Sequence, residues 1–172
     1  DKHTNIHPVK LRPGFGAFYN FVDDKPEGKP VCYVFSLSAV HKFKGFDMSD
    51  CDYMIFDEFI PQLSERRNIN EPNLLLDLYM TISRDRVKRG RPDLKLILFA
   101  NAEEIATPIT NTLEIVDDMA EMNATGERIR YLADRGILLH HTTEDEIPLP
   151  LIVIISSVSE RRRKVSSLWS IM

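Results

Sequence analysis

Residues 51–62 read CDYMIFDEFIPQ: an apolar run, Tyr53-Met54-Ile55-Phe56, closed by two adjacent carboxylates, Asp57 and Glu58. Four such residues predict a strand, and a strand of this composition suits a parallel sheet, buried on both faces. Acids that follow it directly would emerge together at the carboxyl edge of that sheet, where α/β proteins bind ligands. They have two possible uses there: holding a metal ion and a water, or capping a loop.

Downstream, Leu74, Leu75, Leu78, Tyr79 and Ile82 repeat every three or four residues, which predicts an amphipathic helix begun by Asn70-Glu71-Pro72. The helix runs into the charged segment Arg84 to Arg91, and Leu94 to Ala100 predicts a further strand with Asn101 at its carboxyl end. Strand, helix, strand in this order is a βαβ unit with parallel strands. Upstream, the turn signal from Asp23 to Gly28 separates Gly16–Val22 from Pro30–Ser36 and predicts a β-hairpin. Ser38 to Phe43 suits a helical turn ending near Gly45. Beyond Asn101, Pro108 and Asn111 interrupt a loop or short helix. Thr125 to Arg135 reads as helix, stopped by Gly136, and strands follow at Ile137–His141 and Leu149–Ser156.

The chain has 172 residues, 43% hydrophobic and 28% charged, enough for one core and a single domain. A formal charge of −4 gives no general reason to expect nucleic-acid binding and leaves a local basic patch open. Cys32 and Cys51 lie in or beside apolar runs, and no Cys/His spacing matches a zinc site, so both read as buried free thiols in a reducing compartment. The apolar run Ile147 to Ile155 is broken by prolines and falls short of the ~20 residues a membrane span needs. Nothing in the opening residues suggests a signal peptide, so none is expected. With Asp1 at its start and SSLWSIM after a basic segment at its end, the stretch reads as a piece of a longer product.

Four apolar residues followed by Asp-Glu is also the Walker B pattern of nucleotide-hydrolysing enzymes. The aspartate holds Mg²⁺, usually through a water, and the next carboxylate orients the attacking water. The same string arises by chance, so on its own the motif leaves the loop-cap use open. Asn101 ends the next strand of the βαβ unit, beside Asp57 and Glu58. A neutral amide there can bond a γ-phosphate and the lytic water without altering the acids' charge; the alternative is a turn asparagine. Arg84 and Arg86 follow the crossover helix. A guanidinium at that place can neutralise charge on a neighbouring subunit's nucleotide, or simply complement the helix dipole. His140 and His141, near Glu144, Asp145 and Glu146, are adjacent on a strand and point to opposite faces, so they cannot chelate one ion in regular geometry. Arg161 to Lys164 form a basic run able to contact phosphate or to stand solvated.

Taken jointly these residues resemble a known family, the DNA-packaging ATPases, or encapsidation proteins, of small tailed phages, which are terminase-like motors. The likeness lies in Leu37-Ser38, in Tyr53 to Ile60, in Leu75 to Ile82 leading to Arg84-Asp85-Arg86, in Leu96 to Ala102, and in Ser159-Glu160-Arg161-Arg162. It covers most of the chain and is strongest from Asp52 to Ala102. The resemblance implies an α/β fold of the additional-strand P-loop NTPase type: a mostly parallel sheet with helices on both faces and an N-terminal β-hairpin, here as a partial domain. It implies ATP and Mg²⁺ as cofactors, with Asp57 as the metal aspartate, Glu58 as the catalytic glutamate, Asn101 as the phosphate sensor, and Arg84 as a trans-acting finger with Arg86 as runner-up. Its implied partners are double-stranded DNA, the portal of an empty prohead, a structural RNA in some members, and further copies of itself in a ring, usually pentameric, with no membrane. The implied location is the cytoplasm of an infected bacterium and, transiently, the capsid's portal vertex.

One departure stands out: the 172 residues contain no GxxxxGKS or GxxxxGKT phosphate loop, and Pro13-Gly14-Phe15-Gly16 lacks the lysine that such a loop needs. In the family that loop precedes the segment matching this chain, and a nuclease-like or DNA-gripping domain follows it. Residues 1–172 are therefore expected to be the later part of one ATPase domain. Two other readings stand beside this one: a non-catalytic α/β interaction domain, and another ring ATPase of phage assembly or secretion.

Overall fold

The computed structural model describes residues 5–43, 46–60, 69–84, 86–100, 104–142 and 151–155. The chain divides into two compact units, Asp1–Asp47 and Met48–Met172.

The first unit is a three-stranded antiparallel meander of β1 (Ile6–Arg12), β2 (Phe15–Val22) and β3 (Lys25–Phe35) in that order. The expected hairpin is β2–β3, and β1 extends it on the other side of β2. Asp23 and Asp24 make its turn at φ 48° and 58°, both left-handed, as a type I′ turn requires. The register then slips: Phe18 faces Cys32 while Asn20 faces Glu27, and Gly28, at φ 71°, lies in the slack of β3. Buried Phe15 and Ala39 are packed by Leu11, Tyr33, Phe35 and Phe46, with Phe46 edge-on to Phe15 at 4.8 Å between centroids. Cys32, expected to be buried, is exposed, because it alternates with the inward Tyr33 on an edge strand.

The turn supplies a first prediction. Type I′ turns favour glycine at the second central position, where an L side chain is strained. Asp24→Gly should therefore stabilise this unit by about 0.5 kcal/mol after glycine's own entropy cost. Denaturation followed by the near-UV ellipticity of the aromatic cluster measures it, and an earlier midpoint would contradict the turn geometry.

The second unit is a small α/β structure. It runs β4 (Tyr53–Phe56), α1 (Glu71–Ser83), β5 (Lys95–Ala100), α2 (Pro108–Thr112), α3 (Val116–Thr125), β6 (Ile129–Leu132), β7 (Ile137–His141) and β8 (Leu151–Ile155). Proline in the first turn of α1 fits a position whose N–H has no helical partner, and Pro72, Leu75, Leu78, Tyr79 and Ile82 form its buried stripe. The Tyr79 hydroxyl donates to the Leu94 carbonyl at 2.7 Å, tying α1 to the start of β5. A capping box between Thr107 and Thr110 opens α2, and Gly126 in the left-handed conformation closes α3.

The sheet order, β4-β5-β8-β7-β6, overturns the expected mostly parallel P-loop sheet. Among the described pairings β4–β5 is parallel, while β5–β8, β8–β7 and β7–β6 are antiparallel. The crossover helix α1 makes the first pair parallel; the later strands form a meander whose last member returns between β7 and β5. Helices on both faces are not found among the described residues either. Met54, Leu96, Leu98, Leu132, Ile137 and Leu139 are buried on one face. Across the register, Tyr53, Ile55, Ile129 and Tyr131 share the other and are 58–63% exposed. Tyr53 and Ile55 were expected to be buried, but β4 is an edge strand with one face open. The helix expected over 125–135 is also corrected: Gly126 ends α3, and Ile129 to Leu132 pair with β7 as a hairpin.

Candidate functional site

Asp57 and Glu58 stand at the exit of β4, and both are exposed. The chain on each side is anchored. Phe56 pairs with Leu98 in the parallel register, while Phe59 and Ile60 are 0% and 3% exposed. The Phe59 amide donates to the Phe99 carbonyl at 3.1 Å, so the exit of β4 is tied to the end of β5. Between these anchors Glu58 turns left-handed, at φ 52°, and its amide donates to Asp57 Oδ1 at 3.0 Å. A glutamate at positive φ is strained by roughly 1 kcal/mol, and such strain gathers at functional sites. Asn101 follows directly on Ala100 at the end of β5 and lies outside the described residues.

The two arginines lie at the opposite edge of the sheet. Arg84 caps the carboxyl end of α1 and is exposed. Arg86 is 1% exposed and bound within its own chain. Its Nε donates to Pro92 O at 3.0 Å and its Nη2 to Asp52 Oδ1 at 2.7 Å, while Nη1 donates to Ser49 O at 2.9 Å and also to Cys51 O. Arg91 reinforces the same loop through Asp50 O at 2.7 Å and Asp52 Oδ1 at 3.1 Å. From Asp52 to Asp57 the extended chain spans about 16 Å. The structure thus brings Asp57 and Glu58 together and sets Arg84 and Arg86 a strand's length away from them.

Pro13 and Gly14 form the tight turn between β1 and β2, with Gly14 at φ 76°. His140 and His141 are successive residues of β7, and the described residues hold no group of three or more His, Cys, Asp or Glu placed to bind a metal. Glu144 to Glu146 and Arg161 to Lys164 lie outside the described residues. The carboxylate missed by sequence reasoning is Asp52. Its place immediately before an apolar strand gave no sign that its partner was an arginine of a distant charged run.

The hydrogen bond from Arg86 holds the Asp52 carboxyl below its ordinary 3.8, with the Arg91 charge assisting and burial opposing. A carboxyl depressed in the folded state stabilises it above the unfolded pKa, and that contribution is lost as pH falls through the lower folded value. The stability gap between wild type and Asp52→Asn should accordingly close as the pH drops below 3.8. Denaturant titrations across that range check it, and a gap constant with pH would show that the ion pair contributes nothing.

In comparisons with known proteins, the chain matches no family model, no curated protein and no solved structure.

Proposed function

We propose that Asp57 and Glu58 are the metal-holding and water-orienting carboxylates of an ATP-hydrolysing motor that drives double-stranded DNA into a preformed capsid. The observation that carries the reading is the strained strand exit. Glu58 is held exposed at φ 52° beside Asp57, between fixed anchors, at the carboxyl end of a parallel strand pair. A loop cap needs neither the strain nor the second acid. The reading draws on the β4–α1–β5 unit and requires nothing of the antiparallel meander beyond it.

Magnesium binds through one or two carboxylates together with waters and phosphate oxygens rather than in a protein cage. Two exposed acids with no larger donor cluster among the described residues fit that habit. Asp57 would hold the ion, which when bound neutralises charge on the phosphoryl oxygens. Glu58 would accept a hydrogen bond from the attacking water and aim it. Asn101, next in the chain after β5 and outside the described residues, would be the neutral amide that senses the phosphate, as the resemblance implies. The phosphates also need a cradle of backbone N–H groups and a lysine. The resemblance to packaging ATPases puts that cradle ahead of residue 1, and it supplies the ring, the portal and the structural RNA as partners. Comparing turnover of the full-length protein with that of its Glu58→Gln variant tests the reading.

The open sheet face favours a second reading, an α/β interaction domain without nucleotide chemistry. Tyr53, Ile55, Ile129 and Tyr131 present apolar surface on one side of the sheet, a pattern that marks interaction sites. ATP binding by the full-length protein discriminates between the two.

A further inference from the structure

Arg86 is the bulkiest of the fully buried side chains among the described residues, and its charge is spent on the start of two strands. Ser49, Cys51 and Asp52, which accept from it, lead into β4, and Pro92 leads into β5. The Lys95 amide donates to Asp52 O at 3.2 Å, so the first rung of the parallel ladder lies directly beside this guanidinium.

We infer that Arg86 is a positioning residue: by clamping the starts of β4 and β5 it fixes the register that sets Asp57 and Glu58 against the end of β5. The inference rests on the reading of those two acids as the reacting carboxylates. Its physical basis is that within β4 itself little specifies the register against β5, the bond from Phe59 to Phe99 and the burial of Phe59 and Ile60 acting only beyond its exit. Parallel strands lack the tight hairpin turn that sets an antiparallel pairing. Hydrophobic pattern normally does the work instead, since a one-residue slip moves buried side chains to the solvent face. In β4, however, Tyr53 and Ile55 are exposed and Phe56 is half-buried, leaving Met54 as its one buried side chain. Four rungs and one buried side chain specify register weakly. A planar guanidinium with donors aimed at carbonyls on both strand starts specifies it strongly, and a lysine ammonium, a single point of charge, cannot reach all four acceptors in that plane.

Backbone exchange at the far end of the strand pair reads this directly. The Phe59 amide, bonded to Phe99 O, is a strand's length from Arg86 and touches none of its partners. In Arg86→Lys, hydrogen exchange at Phe59 should accelerate about tenfold or more, while the β6–β7 hairpin amides keep wild-type rates. Asp52→Asn, which removes the ionic acceptor alone, should give a smaller change in the same place. Unchanged Phe59 exchange in a folded Arg86→Lys protein, with a lowered melting temperature, would mean that Arg86 merely fills the core and would overturn the inference. If Arg86→Lys does not fold, Asp52→Asn decides: wild-type exchange at Phe59 overturns the clamp, and faster exchange confined to the β4–β5 pair supports it. These measurements need no nucleotide. Normal turnover in Glu58→Gln alongside a responsive Phe59 amide would therefore remove the catalytic reading and leave the clamp standing.

Discussion

Glu58→Gln in the full-length protein should bind ATP as the wild type does and lose turnover by about 10²–10⁴-fold. The substitution exchanges one carboxylate oxygen for an amide nitrogen. It preserves side-chain length and leaves the backbone question unchanged, since glutamine meets the same constraint at φ 52°. On the proposed reading it removes the negative acceptor that polarises the attacking water, a group needed in the transition state and not for binding. The effect should therefore fall on kcat with the affinity for nucleotide intact. Asp57→Asn should behave differently on the same reading, weakening the hold on Mg²⁺ and so the apparent affinity for Mg-ATP. Steady-state hydrolysis and equilibrium nucleotide binding separate the two, and equal turnover in wild type and Glu58→Gln would end the catalytic assignment.

The β4–α1–β5 unit was legible because each of its signals is local. An apolar run bounded by charge, a helical repeat opened by Asn70-Glu71-Pro72, and a second apolar run suffice to place three elements. The crossover then makes the strands parallel. Strand order beyond that unit is not a local property. Nothing in Leu151 to Ile155 says that it returns between β7 and β5, and that one insertion turns the sheet mostly antiparallel. Short strands were hidden by their neighbours. Ile129 to Leu132 sits against a helical pattern, and β1 carries Pro8, Lys10 and Arg12 with side chains that are largely exposed. Composition also gave no warning that Tyr53 and Ile55 face open space, because an apolar run reads alike whether or not its second face is covered.

At the site, the pairing of Asp57 with Glu58 at a strand exit was plain from the chain order. The left-handed turn at Glu58 was not, since glutamate is no turn former and the strain is imposed by buried Phe59 and its bond to Phe99. The sequence also treated Arg84 and Arg86 as near equivalents. Two residues apart, they have opposite environments, because one ends a helix in solvent and the other turns inward onto carbonyls contributed by residues more than thirty positions earlier as well as by Pro92.

That difference sets the expected behaviour of Arg84→Ala. Arg84 is exposed, so its loss should leave the melting temperature near that of the wild type. Arg86→Ala, by contrast, orphans buried carbonyls and should cost roughly 3 kcal/mol. On the proposed reading of a ring motor, Arg84→Ala should nevertheless cut turnover about 10³-fold or more, the usual worth of an arginine finger. Arg84 ends α1 two residues before Arg86, which binds Asp52 at the start of β4, and about 16 Å of extended strand separates Asp52 from Asp57 at its exit. On the proposed motor reading, this placement favours Arg84 serving a neighbouring subunit's Glu58 over its own. Mixing two inactive variants tests this. A ring built from Arg84→Ala and Glu58→Gln subunits contains contacts where an intact Glu58 meets an intact Arg84 from the adjacent subunit, and those contacts should hydrolyse ATP. A finger acting within its own subunit leaves every site in that mixture broken, since no single chain carries both residues. Turnover above either parent is the outcome the trans arrangement requires, and a mixture as inactive as its parents would exclude it.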